Sequence, residues 1–137
     1  MRSHIRHLLG PAILFAAATG ARAFDLSVEV LDASPGQGMV AGALFSEANW
    51  MGAPLQGERQ PAAARVVLVY RNLPAGRYAV SVFQDENGNG RLDKNVVGLP
   101  TERYGFSRDA PALLGPPSFG EAAFDVQADT SITVHLR

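Results

Sequence analysis

The chain contains no cysteine. That single absence removes disulfides, zinc ribbons, iron–sulfur clusters, thiol nucleophiles and a lipid-modified amino-terminal cysteine together. Histidine is nearly as scarce, with only His4, His7 and His135, and lysine occurs once, as Lys94. There is no cationic surplus either, since 12 Lys plus Arg stand against 13 Asp plus Glu over 137 residues. Nucleic-acid binders need such a surplus to displace counterions from phosphates, so that class is excluded as a reading. A Walker A sequence, a Rossmann fingerprint and a Gly-x-Ser-x-Gly elbow are all missing. No apolar run reaches the roughly 20 residues of a membrane-spanning helix. With 47% hydrophobic and 18% charged residues, the composition suits one globular domain.

The amino terminus has the organisation of an export leader. Arg2 and Arg6 give a positive start, an apolar run follows from Leu8 to Ala18, and Ala21-Arg22-Ala23 fits the small-x-small rule of signal peptidase. Residues 1–23 are therefore expected to be a Sec-type signal peptide, cleaved after Ala23, and residues 24–137 a single domain delivered to the periplasm or the medium. Removing the leader takes away Arg2, Arg6 and Arg22 and leaves nine basic against thirteen acidic side chains. His135 is then the only histidine.

The remaining chain is dominated by strand-like runs punctuated by Gly, Pro and Asn, with no window of helical period. Leu26, Val28 and Val30 alternate with Ser27 and Glu29, and a second strand is predicted over 39–45 after the turn at 34–38. A long polar connection, 46–64, holds the single Trp, Trp50, and is expected to contain a helical turn or to cover a sheet edge. Residues 65–71 are apolar on both alternating faces, which predicts a central strand covered on both sides. The turn at 72–76 leads to a strand over 77–84, and the two strands are predicted to form a hairpin. A second hairpin is predicted from 122–126 and 131–136. Six or seven short strands in this length predict an all-β, antiparallel β-sandwich of about seven strands, immunoglobulin-like or prealbumin-like, with long ordered loops.

One stretch carries metal-ligand spacing. In Asp85-Glu86-Asn87-Gly88-Asn89-Gly90-Arg91-Leu92-Asp93, oxygen-bearing side chains occupy positions 1, 3, 5 and 9, with Gly at position 6. That is the opening of an EF-hand-type loop, in which alternate residues turn inward and the glycine permits the sharp bend. Calcium wants six to eight oxygens, so Asp85, Asn87, Asn89, the Arg91 carbonyl and Asp93 form a partial shell. Position 12 is Val96, where an EF-hand has a bidentate Glu, so another carboxylate must complete the set. Glu102, Asp109 and Glu121 are the candidates. The competing reading is that Asn87-Gly88 and Asn89-Gly90 form a plain hairpin turn tolerant of positive φ.

Downstream, Tyr104, Phe106 and Phe119 lie in Gly- and Pro-containing segments. They either offer a stacking surface for a sugar or peptide, or plug the open end of the sandwich, and plugging is the commoner use of such aromatics. His135 alternates with Val134 and Leu136 and is expected to face away from the core.

Taken in order, the segments 72–76, 78–80, 85–90, 92–93, 98–100, 104–107, 115–119 and 122–124 resemble the exported bacterial proteins grouped as domain of unknown function 2141. The resemblance spans nearly the whole chain after the leader and implies a small secreted or periplasmic β protein of unassigned activity. Leu73-Pro74-Ala75-Gly76-Arg77-Tyr78-Ala79-Val80 is also similar to the turn of transthyretin-like and carboxypeptidase regulatory-like sandwiches. The expected function is a non-enzymatic envelope module whose loop binds calcium and which recognises a protein or glycan. An envelope-polymer hydrolase using loop carboxylates and a metal-free structural module are the alternatives.

Overall fold

A computed structural model describes residues 22–137, so the leader reading of 1–23 falls almost wholly outside the described residues. Eight strands form two sheets. β1 (Ala23–Leu31), β4 (Arg65–Pro74) and β8 (Thr130–His135) make a three-stranded sheet in the order β4-β1-β8. β2 (Met39–Phe45), β3 (Gln56–Pro61), β5 (Gly76–Asp85) and β6 (Tyr104–Phe106) run β3-β2-β5-β6, with β7 (Phe124–Val126) paired to the start of β5. Among the described residues one short α-helix, α1 (Phe119–Ala122), precedes β7. No helix among the described residues is long and apolar enough to cross a membrane.

The alternation read from sequence decides which face each strand buries. Leu26, Val28, Val30, Val66, Leu68, Tyr70 and Val134 from one sheet meet Val40, Leu44, Tyr78, Val80 and Val82 from the other, and all are buried. Burial of that kind stabilises by roughly 1.5–3 kcal/mol per large side chain, before the entropy of ordering the chain is subtracted. Gly42 is required by the packing, because a Cβ there would lie 2.5 Å from both Leu68 Cδ1 and Tyr70 Oη.

A second, smaller core lies on the outer side of the five-stranded sheet. Ala79 alternates with Tyr78 and Val80, so it faces away from the main core, and it packs with Phe106, Phe119, Ala122 and Ala123. Trp50 closes this cluster edge-on against Phe45, Phe106 and Phe119 at centroid separations of 5.3, 6.1 and 6.1 Å. Its indole N–H donates to Pro117 O at 2.9 Å, which pins the 46–55 connection to the segment before α1. Phe106 and Phe119 are therefore consumed in packing on a sheet face and do not form the exposed stacking surface.

Several pairing expectations are corrected. β4 and β5 do not form a hairpin. Only Ala75 separates them, but β4 bonds to β1 and β5 to β2, so the chain turns a corner from one sheet to the other. Tyr78 Oη holds that corner by donating to Pro74 O at 2.6 Å, the arrangement known from sandwiches as a tyrosine corner. The carboxy-terminal pair is not a hairpin either, since β7 pairs with β5 while β8 runs parallel to β1. The parallel β1–β8 pair is the exception in an otherwise antiparallel architecture. Finally, β4 is an edge strand, with Val67 and Val69 only half buried, and β1 is the central one. The 46–64 connection covers an edge as expected, because β3 adds itself beside β2.

Candidate functional site

The 86–103 loop leaves the end of β5 and returns to β6. Its first ligand-type residue, Asp85, is the last residue of β5 and is fully buried. Asp85 Oδ2 accepts from Arg59 Nη2 at 3.0 Å and from Gly90 N at 2.9 Å. Its other oxygen, Oδ1, is buried without any hydrogen-bond partner. Burial pushes this carboxyl up, but the Gly90 N–H, the Arg59 guanidinium and the Asn89 N–H together outweigh it and hold the group below the usual carboxylate range.

The turn is written by its asparagines. Asn87 Oδ1 accepts from Asn89 N at 3.2 Å and Asn89 Oδ1 from Arg91 N at 2.9 Å, two successive side-chain turns made possible by Gly88 and Gly90 at φ 73° and 74°. Both asparagines also reach across to one carboxylate: Asn87 Nδ2 donates to Asp93 Oδ2, and Asn89 Nδ2 to Asp93 Oδ1 at 2.6 Å. Asp85, Asn87, Asn89 and Asp93 thus belong to one hydrogen-bonded turn, in which the asparagines face Asp93 with their amide nitrogens. Arg91 donates through its backbone, and its side chain is exposed.

Of the three carboxylates proposed to complete the set, only Glu102 reaches the loop. It is buried, and its two oxygens accept from Glu86 N at 2.7 Å and Asp93 N at 2.8 Å, clamping both ends of the turn. Asp109 is committed elsewhere, accepting from His135 N at 2.9 Å and lying 2.8 Å from its Nδ1. Glu121 forms a capping box with Ser118 at the start of α1. His135 is exposed, as its alternation predicts.

Two residues were not singled out by sequence reasoning. Arg59 sits on β3, which reads as polar connection, and only the β3–β2–β5 register carries it to Asp85. Gln84 is fully buried beside Asp85, accepting from Ser34 N at 2.9 Å and donating to Ser34 O and Gln37 O at 2.8 Å. That amide locks the 34–38 turn under the loop, where a Cβ on Gly38 would lie 2.1 Å from Asp85 O. Nothing in the sequence marks Gln84; its burial, which requires partners for all its polar atoms, is visible only in the structure.

Among the described residues no three His, Cys, Asp or Glu side chains gather as a metal cluster. The loop offers instead two carboxylates supplemented by amide and peptide oxygens. Such a set suits a hard cation, since each amide oxygen has a second lone pair beyond the one its turn uses. Asp85 Oδ1, buried and without a partner, is the atom most in need of one.

A groove of about 340 Å³ lies beside Arg59 on the outer face of the large sheet, with a floor of Ala41, Ala43, Gly57 and Ser81 and a wall formed by Phe83. Fold and loop together define a two-sheet β-sandwich with an acidic, asparagine-rich turn at one end of its largest sheet. Residues 28–134 match the family model described as uncharacterized protein conserved in bacteria (DUF2141), and the chain belongs to that family. No curated protein and no solved structure matches it.

Proposed function

We propose that this protein is an exported, non-enzymatic β-sandwich module of the cell envelope whose 85–93 loop binds calcium as a structural ion. The observation that carries the reading is the buried Asp85 carboxylate, with one oxygen unpartnered, at the head of a turn already closed around Asp93. Asp85, Asn87, Asn89, the Arg91 carbonyl and Asp93 supply the donors, and Glu102 holds the backbone that presents them. The ion relieves the orphan oxygen and stiffens the loop, whose partner is a protein or a glycan.

Extracellular calcium sites of this type bind at roughly 10⁻⁴ to 10⁻³ M. A tenfold excess over Kd then adds about 1.4 kcal/mol to the folded state, which raises Tm by a few degrees for a domain of this size. Titration calorimetry at millimolar calcium, paired with melting in calcium and in chelator, tests it. Binding heat and a calcium-dependent Tm that both vanish in Asp93→Asn are expected. Absence of heat together with identical melting in calcium and chelator overturns the reading. Loss of a hydrolytic turnover in the same variant, with Tm unchanged, would favour the hydrolase alternative.

A further inference from the structure

The 85–93 turn repeats one chemical unit twice. Of the five asparagines in the chain, Asn49, Asn72 and Asn95 precede Trp50, Leu73 and Val96, and only Asn87 and Asn89 precede glycine. An asparagine followed by glycine is the least hindered setting for attack of the next backbone nitrogen on the side-chain amide carbon, because glycine has no Cβ to obstruct the ring that forms. Asn87, Gly88, Asn89 and Gly90 are all exposed, and a Cβ added at either glycine would meet nothing within 4 Å.

The two units match in their electrophiles. Asn87 Oδ1 accepts from Asn89 N at 3.2 Å and Asn89 Oδ1 from Arg91 N at 2.9 Å, so in each a backbone N–H already lies on the oxygen where negative charge develops during attack. Their leaving groups match as well, since both Nδ2 atoms face the Asp93 carboxylate. The nucleophiles differ. Gly90 N donates to Asp85 Oδ2 at 2.9 Å, and that oxygen belongs to a fully buried carboxylate also held by Arg59. Gly88 N has no hydrogen-bond partner among the described residues. A nitrogen committed to a carboxylate must give up a charge-assisted bond before it loses its proton and attacks, and the adjacent negative charge opposes that loss.

We propose that Asn87 is a site of spontaneous covalent modification, converting through a cyclic imide to aspartate and isoaspartate, and that the Asp85–Gly90 hydrogen bond shields Asn89 from the same reaction. Gly88 N passes its proton to water and bonds to Asn87 Cγ. The Cγ–Nδ2 bond then breaks, and the amide nitrogen takes a proton from water and departs as ammonia. Water adds to either imide carbonyl and opens the ring, so the net change consumes water, releases ammonia and involves no oxidation or reduction. The product bears on the turn itself. It loses the amide N–H that Asp93 Oδ2 accepts and places a second carboxylate beside the first, where like charges repel. Only Asn89 then still holds Asp93 from the asparagine side.

None of these steps uses a metal ion, so the test runs in chelator throughout and its outcome is separate from that of the calcium reading. The purified protein is incubated at neutral pH and physiological temperature, folded in one series and unfolded in urea in the other. Peptide mapping by mass spectrometry, with isoaspartyl methyltransferase labelling, locates the acid as it forms. In the folded protein, conversion at position 87 is expected to outrun conversion at position 89 roughly tenfold or more, because the bond from Gly90 N to the Asp85 carboxylate must first be released. In urea that bond is gone, and the two rates are expected to converge. Comparable rates at the two positions in the folded protein overturn the proposal, as does a folded protein in which neither converts while the urea series does. A bias toward position 87 that persists undiminished in urea overturns the shielding by Asp85, since the local sequence would then set it. The converted fraction, separated by anion exchange, is expected to melt below the unconverted protein, and equal melting overturns the claim that the Asn87 amide secures Asp93.

Discussion

Arg59 and Asp85 meet at 3.0 Å across β2, the arginine side chain 46% exposed and the aspartate side chain fully buried. The asymmetry matters because removing Arg59 leaves Asp85 with the Gly90 N–H but without its cation. Arg59→Ala is expected to destabilise by about 1–2 kcal/mol, less than a fully buried pair because solvent screens the arginine side. Asp85 is held below its ordinary carboxylate range in the folded state. Its contribution is therefore present above the unfolded carboxylate pKa, about 3.9, and is lost as pH falls through the folded value. Urea unfolding from pH 6 downward checks this: Asp85→Asn is expected to flatten the acid limb, and an unchanged limb contradicts the assignment.

Glu102 satisfies the backbone N–H groups of Glu86 and Asp93 with its two oxygens. Glu102→Ala leaves both donors to water and frees the ends of the turn, at a cost of about 1–3 kcal/mol. Hydrogen exchange is the discriminating measurement, because the amides of Glu86 and Asp93 should lose protection while those of β2 keep theirs.

Two buried tyrosines make opposite predictions. Tyr70 Oη is buried with no partner, and burial together with nearby Glu58 raises its ionisation well above the ordinary phenol value. Tyr70→Phe removes an unsatisfied hydroxyl and is expected to be neutral or to stabilise by up to about 1 kcal/mol. Tyr78→Phe breaks the bond to Pro74 O that holds the β4–β5 corner, and is expected to destabilise by about 1 kcal/mol. Denaturant midpoints that move in the same direction for both variants would refute this distinction.

Ser107 is buried at the junction of three segments, accepting from Val80 N at 2.9 Å and donating to Ala122 O. Ser107→Ala orphans both groups next to the aromatic cluster. A loss of about 1–3 kcal/mol follows, and tryptophan emission from Trp50 should report loosening of the outer core before global unfolding.

How far these features are legible from the residues differs by element. The second strand, 39–45, coincides with β2, and 77–84 lies within β5, because alternation and flanking glycines mark both. The 85–93 turn is legible for a local reason: each asparagine bonds to a backbone N–H two residues on, so the motif carries its own geometry. The two hairpins were misassigned for the complementary reason. A period of two residues says which face a strand buries but not which strand lies beside it, and the one-residue link at Ala75 suits a corner between sheets as well as a reversal within one.

What the sequence determined by itself was the all-β class, the alternation of strands such as β1, β2 and β5, and the self-organising acidic turn, all consequences of interactions within a few residues. Tertiary structure alone decided that Arg59 answers Asp85, that Glu102 rather than Asp109 or Glu121 closes the loop, and that Trp50, Phe106 and Phe119 form a second core. Those relationships join residues separated by 9 to 69 positions. They exist only because the cross-strand register and the packing of one layer on another bring the side chains within hydrogen-bonding or van der Waals range.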